Sequence, residues 1–194
     1  MEDNMGSVIE LNPVDFVTIG TIGPKGKRTF HLQAGKDSRL VSFTIEKEQA
    51  HALASAIAEM LDDLDEQDNG ATEADFSKLD MALREPIEPL FRIAQMGLAY
   101  EANDNKIILV AQEFLPQDGS DLAGDEDIDV LDQNHADEEQ EAYNLFEGGD
   151  GDPQTVRMWC TREQMRALSL QAMDTVKSGR PDAKQNGRII FYWT

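Results

Sequence analysis

Cysteine is almost missing from this chain. Cys160 is the only one among 194 residues, so no internal disulfide can form and nothing calls for an oxidising compartment. Long apolar runs are missing too. None approaches the roughly 20 residues that span a bilayer, and the opening Met1-Glu2-Asp3-Asn4-Met5-Gly6 lacks the basic and apolar regions of a signal peptide. We therefore expect a soluble cytoplasmic protein. Basic residues are scarce, 17 Lys and Arg against 38 Asp and Glu, and they form no run or stripe. That disfavours binding nucleic acid through its phosphates and docking on an anionic membrane. Catalytic signatures are absent as well. Gly20, Gly23 and Gly26 precede a strand-like stretch, not a helix, so they make turns and no phosphate cradle. The chain has no Gly-x-Ser-x-Gly elbow and no Cys-x-x-Cys pair.

What is present is unevenly distributed. Hydrophobic residues make up 40%, enough for a core in one domain of ordinary size or in two small halves sharing one core. The net charge is −21, of which residues 116–153 carry −14 through fourteen acidic and no basic residues, leaving −7 elsewhere. This stretch reads as a flexible acidic insert. Asp125-Glu126-Asp127-Ile128-Asp129 resembles a calcium loop in outline, but Val130 stands where Gly is required and Ala136 where the closing Glu belongs, so an EF-hand is excluded. No metal and no cofactor is expected. Tyr143, Leu145 and Phe146 sit among acids, either in a solvated loop or as a short docking motif.

Around the insert, residues 7–12, 15–22, 28–34 and 39–45 read as strands, with Phe30, Leu32 and Ala34 on one face and Thr29, His31 and Gln33 on the other. A helix follows at about 47–64, its apolar stripe set by Ala50, Leu53, Ala54, Ile57 and Leu61. Residues 71–89 form a connector with a short helix expected near 73–83. Then come strands at 91–100, 106–114 and 155–160, and a helix at 162–177 opened by Thr161 and Gln164 at capping-box spacing.

Two strand-to-helix junctions share letters. Val41-Ser42-Phe43-Thr44-Ile45-Glu46-Lys47-Glu48-Gln49 aligns without gaps on Val156-Arg157-Met158-Trp159-Cys160-Thr161-Arg162-Glu163-Gln164, with Val, Glu and Gln matched and Ala52-Leu53 on Ala167-Leu168 further on. We expect an α+β fold with a mainly antiparallel sheet and two principal helices on one face. It would be one domain built by internal duplication of a three-strand-plus-helix unit (about 7–66 and 90–179) around an approximate two-fold. Residues 180–194 form a tail. Its Arg188-Ile189-Ile190-Phe191-Tyr192-Trp193-Thr194 is too apolar for an ordinary solvated end, so Ile189, Ile190, Phe191, Tyr192 and Trp193 are expected to make an added edge strand, on this sheet or a neighbour's, or to dock on a partner.

The stretch Phe16 to Ala34, with Gly26-x-Arg28-Thr29-Phe30-x-Leu32-Gln33, resembles domain-of-unknown-function family 3090, a bacterial and mostly actinobacterial family. The resemblance continues through Glu46-Lys47, residues 91–100, the acidic insert and Gly179-Arg180-Pro181. It implies the same fold class and no established activity. Members tend to be encoded beside a kinase-like and a phosphatase-like protein, which implies a partner role. Family members continue after Gly-Arg-Pro with a Cys/His cluster resembling a zinc ribbon. Here Asp182-Ala183-Lys184-Gln185-Asn186-Gly187 follows, and one Cys with three scattered His cannot supply that ribbon, so a zinc role is not carried over.

Site chemistry is sparse. Arg28, His31 and Gln33 share or flank the polar face of one strand, and Gln112 lies in the comparable strand of the second half, so a pocket there could take an anion or a small molecule; a hydrogen-bonded sheet surface is the plainer reading. Cys160 is expected to be a buried structural thiol. The leading functional expectation is a non-catalytic binding or adaptor protein acting through protein contacts, those within a homo-oligomer included. The alternatives are a small-molecule or phosphate-linked enzyme with a pocket near Arg28, His31 and Gln33, and an acidic nucleic-acid mimic.

Overall fold

The structure, a computed structural model, describes residues 8–24, 26–115 and 153–178. The acidic insert and the segment from 179 onward lie outside these residues, and with them the expectations placed on Tyr143, Leu145, Phe146 and Ile189–Trp193.

The described chain runs β1 (Val8–Leu11), β2 (Phe16–Ile22), β3 (Thr29–Lys36), β4 (Arg39–Ile45), α1 (Lys47–Asp68), β5 (Pro89–Glu101), β6 (Lys106–Glu113), β7 (Thr155–Thr161) and α2 (Arg162–Ser178). These make one seven-stranded sheet in the order β1-β7-β6-β5-β4-β3-β2. The α+β class expected from sequence holds. The sheet is mixed: β2–β3, β3–β4, β5–β6 and β6–β7 are antiparallel, while β4–β5 and β1–β7 are parallel. A parallel neighbour needs a crossover, and α1 with the connector behind it supplies the one between β4 and β5. No helix among the described residues is long and apolar enough to cross a membrane.

The sheet rolls up on itself. Val14 N–H donates to Trp159 O of β7 at 2.9 Å, and the next residue, Asp15, donates its N–H to Gly35 O of β3 at 2.8 Å. Two consecutive residues thus bond to strands near opposite ends of the sheet, so β1 and β2 behave as halves of one bent strand. Pro13 sits at the bend, where the missing N–H costs no ladder bond. β2-β3-β4-α1 and β5-β6-β7-α2 therefore follow each other around the rolled sheet in the same sense.

Alternation decides what faces inward. Val17, Ile19, Leu32, Ala34, Val41 and Phe43 meet Leu109, Ala111, Val156, Met158 and Cys160 in one apolar cluster with the buried stripes of α1 and α2. The two helices touch, and Ser169 Oγ donates to Ala54 O at 2.7 Å. Ala54, which takes this bond, is a small buried residue and permits the close approach.

Two local expectations are corrected. α1 continues to Asp68, past the expected span of about 47–64. The polar turn stays helical because Asp62, Asp65 and Asp68 face Arg162 and Arg166 of α2, and the helix ends where Asn69 takes a left-handed φ of 51°. The short helix expected at 73–83 does not form. Asp75 instead ties a turn through Ser77 N at 3.0 Å, and the chain beyond it runs as a strap over β2 and β3.

Candidate binding groove

The polar face of β3 is covered by the strap. In register, Thr18, Gln33 and Ser42 form one cross-strand row, and Gly20, His31 and Thr44 the next. The first row is 0–2% exposed because residues 81–84 lie over it. Gln33 Nε2 donates to Arg84 O at 2.7 Å and to Ser42 Oγ at 2.9 Å, while its Oε1 accepts from Arg84 N at 2.7 Å. Thr18 Oγ1 donates to Met81 O at 2.6 Å, and the Arg84 guanidinium stacks 3.6 Å from the centre of the Phe16 ring. Gly20 makes room for the strap, since a Cβ there would come within 2.8 Å of Leu83 Cδ1.

The sequence-derived site residues are not brought to one place. Gln33 is committed to the strap. Arg28 precedes β3, and its Nη1 donates to Ser178 O at the end of α2 at 3.5 Å. Gln112 accepts from the side chain of Gln95 on the neighbouring strand. It lies opposite Thr155, six residues before Thr161 at the start of α2, whereas Gln33 lies opposite Ser42, four residues before Glu46 at the start of α1. The two amides thus occupy different rows of their units. Arg28, Thr29, Thr44, Glu46 and Lys47 line an open hollow of about 370 Å³, in which two cations stand with one carboxylate.

His31 is 7% exposed, and its Nδ1 has no hydrogen-bond partner. Burial lowers its pKa below the ordinary 6.5. The folded state therefore holds a neutral imidazole, while the unfolded chain takes up a proton below pH 6.5. Stability contributed by this group is present above that pH and is lost as pH falls through it. We expect the unfolding free energy of the wild type to fall below that of His31→Leu progressively between pH 7.5 and 5, measured by urea unfolding. Parallel curves would remove the claim.

Other reactive groups are held in structural roles. Cys160 is fully buried, which pushes its thiol to about 12 and leaves no thiolate at neutral pH. Arg162 reaches Asp68 at 2.7 Å and the Tyr100 hydroxyl at 2.8 Å, and Arg166 reaches Asp62 at 2.8 Å and Asp65 at 3.2 Å. Thr72 and Arg166 hold the Asp65 carboxyl below the usual carboxylate range, with the Thr72 hydroxyl bond the largest cause. This network joins the helices. Among the described residues, no cluster of His, Cys, Asp and Glu could hold a metal ion.

A second concavity has a different character. β5 has thirteen residues and β4 seven, and β4 pairs with β5 only through Pro89, Phe91 and Arg92 before the chain turns into α1. Beyond that point β5 keeps β6 on one side, while on its other side Gln95–Tyr100 have no strand partner among the described residues. Gln49 of α1 caps the start of this overhang, its Nε2 donating to Ile93 O at 3.2 Å and Ala94 O at 3.0 Å. Past Gln49, a groove of about 330 Å³ opens between Ala52, Leu53 and Ala56 of α1 and Ala94 to Leu98 of β5. Its walls are apolar, and one of them is an open strand edge.

The edge of β2 is closed by comparison. Gln164 stands to β2 as Gln49 stands to β5: its Nε2 donates to Val14 O at 3.4 Å and Asp15 O at 3.2 Å. About two turns along α2, Gln171 Nε2 donates to Ile19 O at 2.6 Å and Met81 O at 2.8 Å, so helix and strap together fill the edge of β2. In the gapless alignment of the two junctions, the position of Gln171 is taken in α1 by Ala56. A side chain that fills one edge is replaced by a methyl at the other.

The sequence pattern that describes one protein family, "Protein of unknown function (DUF3090)", matches residues 9–188 of this chain. No curated protein and no solved structure matches it.

Proposed function

We propose that this chain, which belongs to the DUF3090 family of proteins of unknown function, is a non-catalytic adaptor that holds an extended apolar segment of a partner protein against β5. The observation that carries this reading is the open edge at Gln95–Tyr100 beside the apolar groove of Ala52, Leu53, Ala56, Met96 and Leu98. An unpaired edge offers main-chain donors and acceptors to an incoming strand, and the groove offers burial to alternate side chains, which together are the requirements of strand addition. An edge left open in this way is a liability unless something occupies it.

The enzyme reading has less support. It needed Arg28, His31 and Gln33 to converge on a ligand, and the Gln33 amide is engaged on all sides by Arg84 and Ser42. The nucleic-acid mimic would rest on residues 116–153, of which 116–152 lie outside the described chain. A bacterial cytoplasm suits an adaptor with a lone buried thiol, and a homo-oligomer would arise if two copies shared the open edge.

The test uses labelled hexapeptides that alternate valine or isoleucine with threonine, read by fluorescence anisotropy. Binding is expected, and Ala56→Arg, at an exposed helix position, is expected to weaken it at least about tenfold with an unchanged unfolding midpoint. Failure of every peptide to bind, or binding indifferent to Ala56→Arg, would overturn the proposal.

A further inference from the structure

The groove lies within reach of a segment of the same chain. α2 ends at Ser178, whose carbonyl oxygen accepts from Arg28. Arg28 lines the hollow shared with Glu46 and Lys47, the residues that open α1. The chain therefore leaves α2 beside the first turn of α1, two to three residues before Gln49 at the mouth of the groove. Ten residues, 179–188, separate Ser178 from Ile189. Extended, they reach up to about 35 Å, while the groove from Gln49 to Ala56 takes up only about 10 Å of helix.

The composition of that segment fits the site. Ile189, Ile190, Phe191, Tyr192 and Trp193 are β-branched or aromatic, the residue types that suit a strand. Small residues on the groove wall, Ala52, Ala56 and Gly97, leave the volume that large side chains need. The leader 179–188 contains Arg180, Lys184 and Arg188 against one acid, Asp182, and the exposed face of α1 presents Glu48, Glu59, Asp63 and Glu66. Opposite charges thus accompany the apolar fit. The other unit sets a precedent, since the edge of β2 is closed from within the chain by Gln171 and Met81.

We infer that residues Ile189–Trp193 add to the open edge of β5 in the same molecule and lie in the groove between β5 and α1, so that a partner segment must displace them. This rests on the peptide-binding reading above and adds a resting state to it. Alternate side chains of the added strand cover Met96 and Leu98, and its backbone pairs with the free groups of Gln95–Tyr100.

Hydrogen–deuterium exchange distinguishes the possibilities in the full chain, in a chain ended at residue 187, and in full-length Ala56→Arg. Those amides of residues 95–100 that do not already bond β6 are expected to exchange at least about tenfold faster in both altered proteins than in the full chain. The free peptide Arg188–Thr194 is expected to restore slow exchange to the shortened chain, and the labelled hexapeptides to bind the shortened chain more tightly than the full one. Unchanged exchange at 95–100 in the shortened chain overturns the inference. So does protection that grows with protein concentration, because the occupant is then the tail of a second copy. If the hexapeptides bind both chains equally, the self-capping fails while the adaptor reading stands. Should the shortened chain not fold, unchanged exchange in full-length Ala56→Arg is the overturning result.

Discussion

Gln164→Leu is expected to lower the unfolding free energy by about 2–4 kcal/mol, and Gln49→Leu by about 1–2 kcal/mol. Both glutamines occupy the third position of their helices and do two jobs. The amide oxygen closes the start of its own helix, accepting from Thr161 N at 2.9 Å in α2 and from Glu46 N at 2.9 Å in α1. The amide nitrogen crosses to the neighbouring unit and bonds two successive carbonyls where its first strand bends. Leucine matches the size and removes both functions, so the carbonyls of Val14 and Asp15 lose their donor. The asymmetry comes from water. Gln164 is 8% exposed and its two bonds are buried and partly buried, whereas Gln49 is half-buried and its bond to Ala94 is exposed, so water replaces more of what is lost at Gln49. The larger loss at Gln164 also loosens the link that joins the two ends of the sheet, since Val14 is the residue bonded to β7. Urea unfolding of the two variants measures the difference. Equal losses, or a larger one at Gln49, would show that this pair acts only as helix caps.

How much of this was legible in the sequence follows from how local each cause is. Strand parity was readable because alternation is a property of adjacent residues: Phe30, Leu32 and Ala34 face inward, and His31 and Gln33 face the strap, as the letters indicate. The repeated Glu-Gln was readable as a repeat and as a helix start. Its second role was hidden because the partners are backbone carbonyls, which every residue has and which leave no mark in the letters. The span of α1 was drawn short for the opposite reason. A run of acids looks unhelical until Arg162 and Arg166 from another helix are placed beside it. Gln33 and Gln112 looked comparable, though out of step by one residue, because each follows an apolar residue in a strand before the helix, and the pairing register shows that they lie in different rows. The groove had one faint signal, a β5 stretch longer than the strand before it, with alanine at position 56 where the second helix has glutamine.

The strap gives the other large effect. Gln33→Leu is expected to cost about 2–4 kcal/mol and to free residues 79–88, because the strap is held at its centre by one side chain. Arg84 offers the Gln33 amide its own N–H and C=O, as a paired strand would, and both bonds are 2.7 Å long. Without the amide, those two groups stay buried unpaired or the strap lifts into water. Lifting limits the cost, since water then satisfies Arg84, but it uncovers Phe16, Thr18 and the row that holds His31. The two outcomes are separable. If the strap stays down, the stability loss is full and proteases do not cut within 79–88. If it lifts, cleavage there rises sharply, and the loss of stability on acidification assigned to His31 disappears, because a hydrated imidazole titrates alike in folded and unfolded chains. We expect the second outcome, since the remaining anchors, Thr18 and Gln171 to Met81 and the Arg84 stack on Phe16, lie along the edge of β2 and do not reach the middle of the face. A Gln33→Leu protein as stable and as protease-resistant as the wild type would mean that the strap is held by its ends alone, and that the burial of His31 has a different cause.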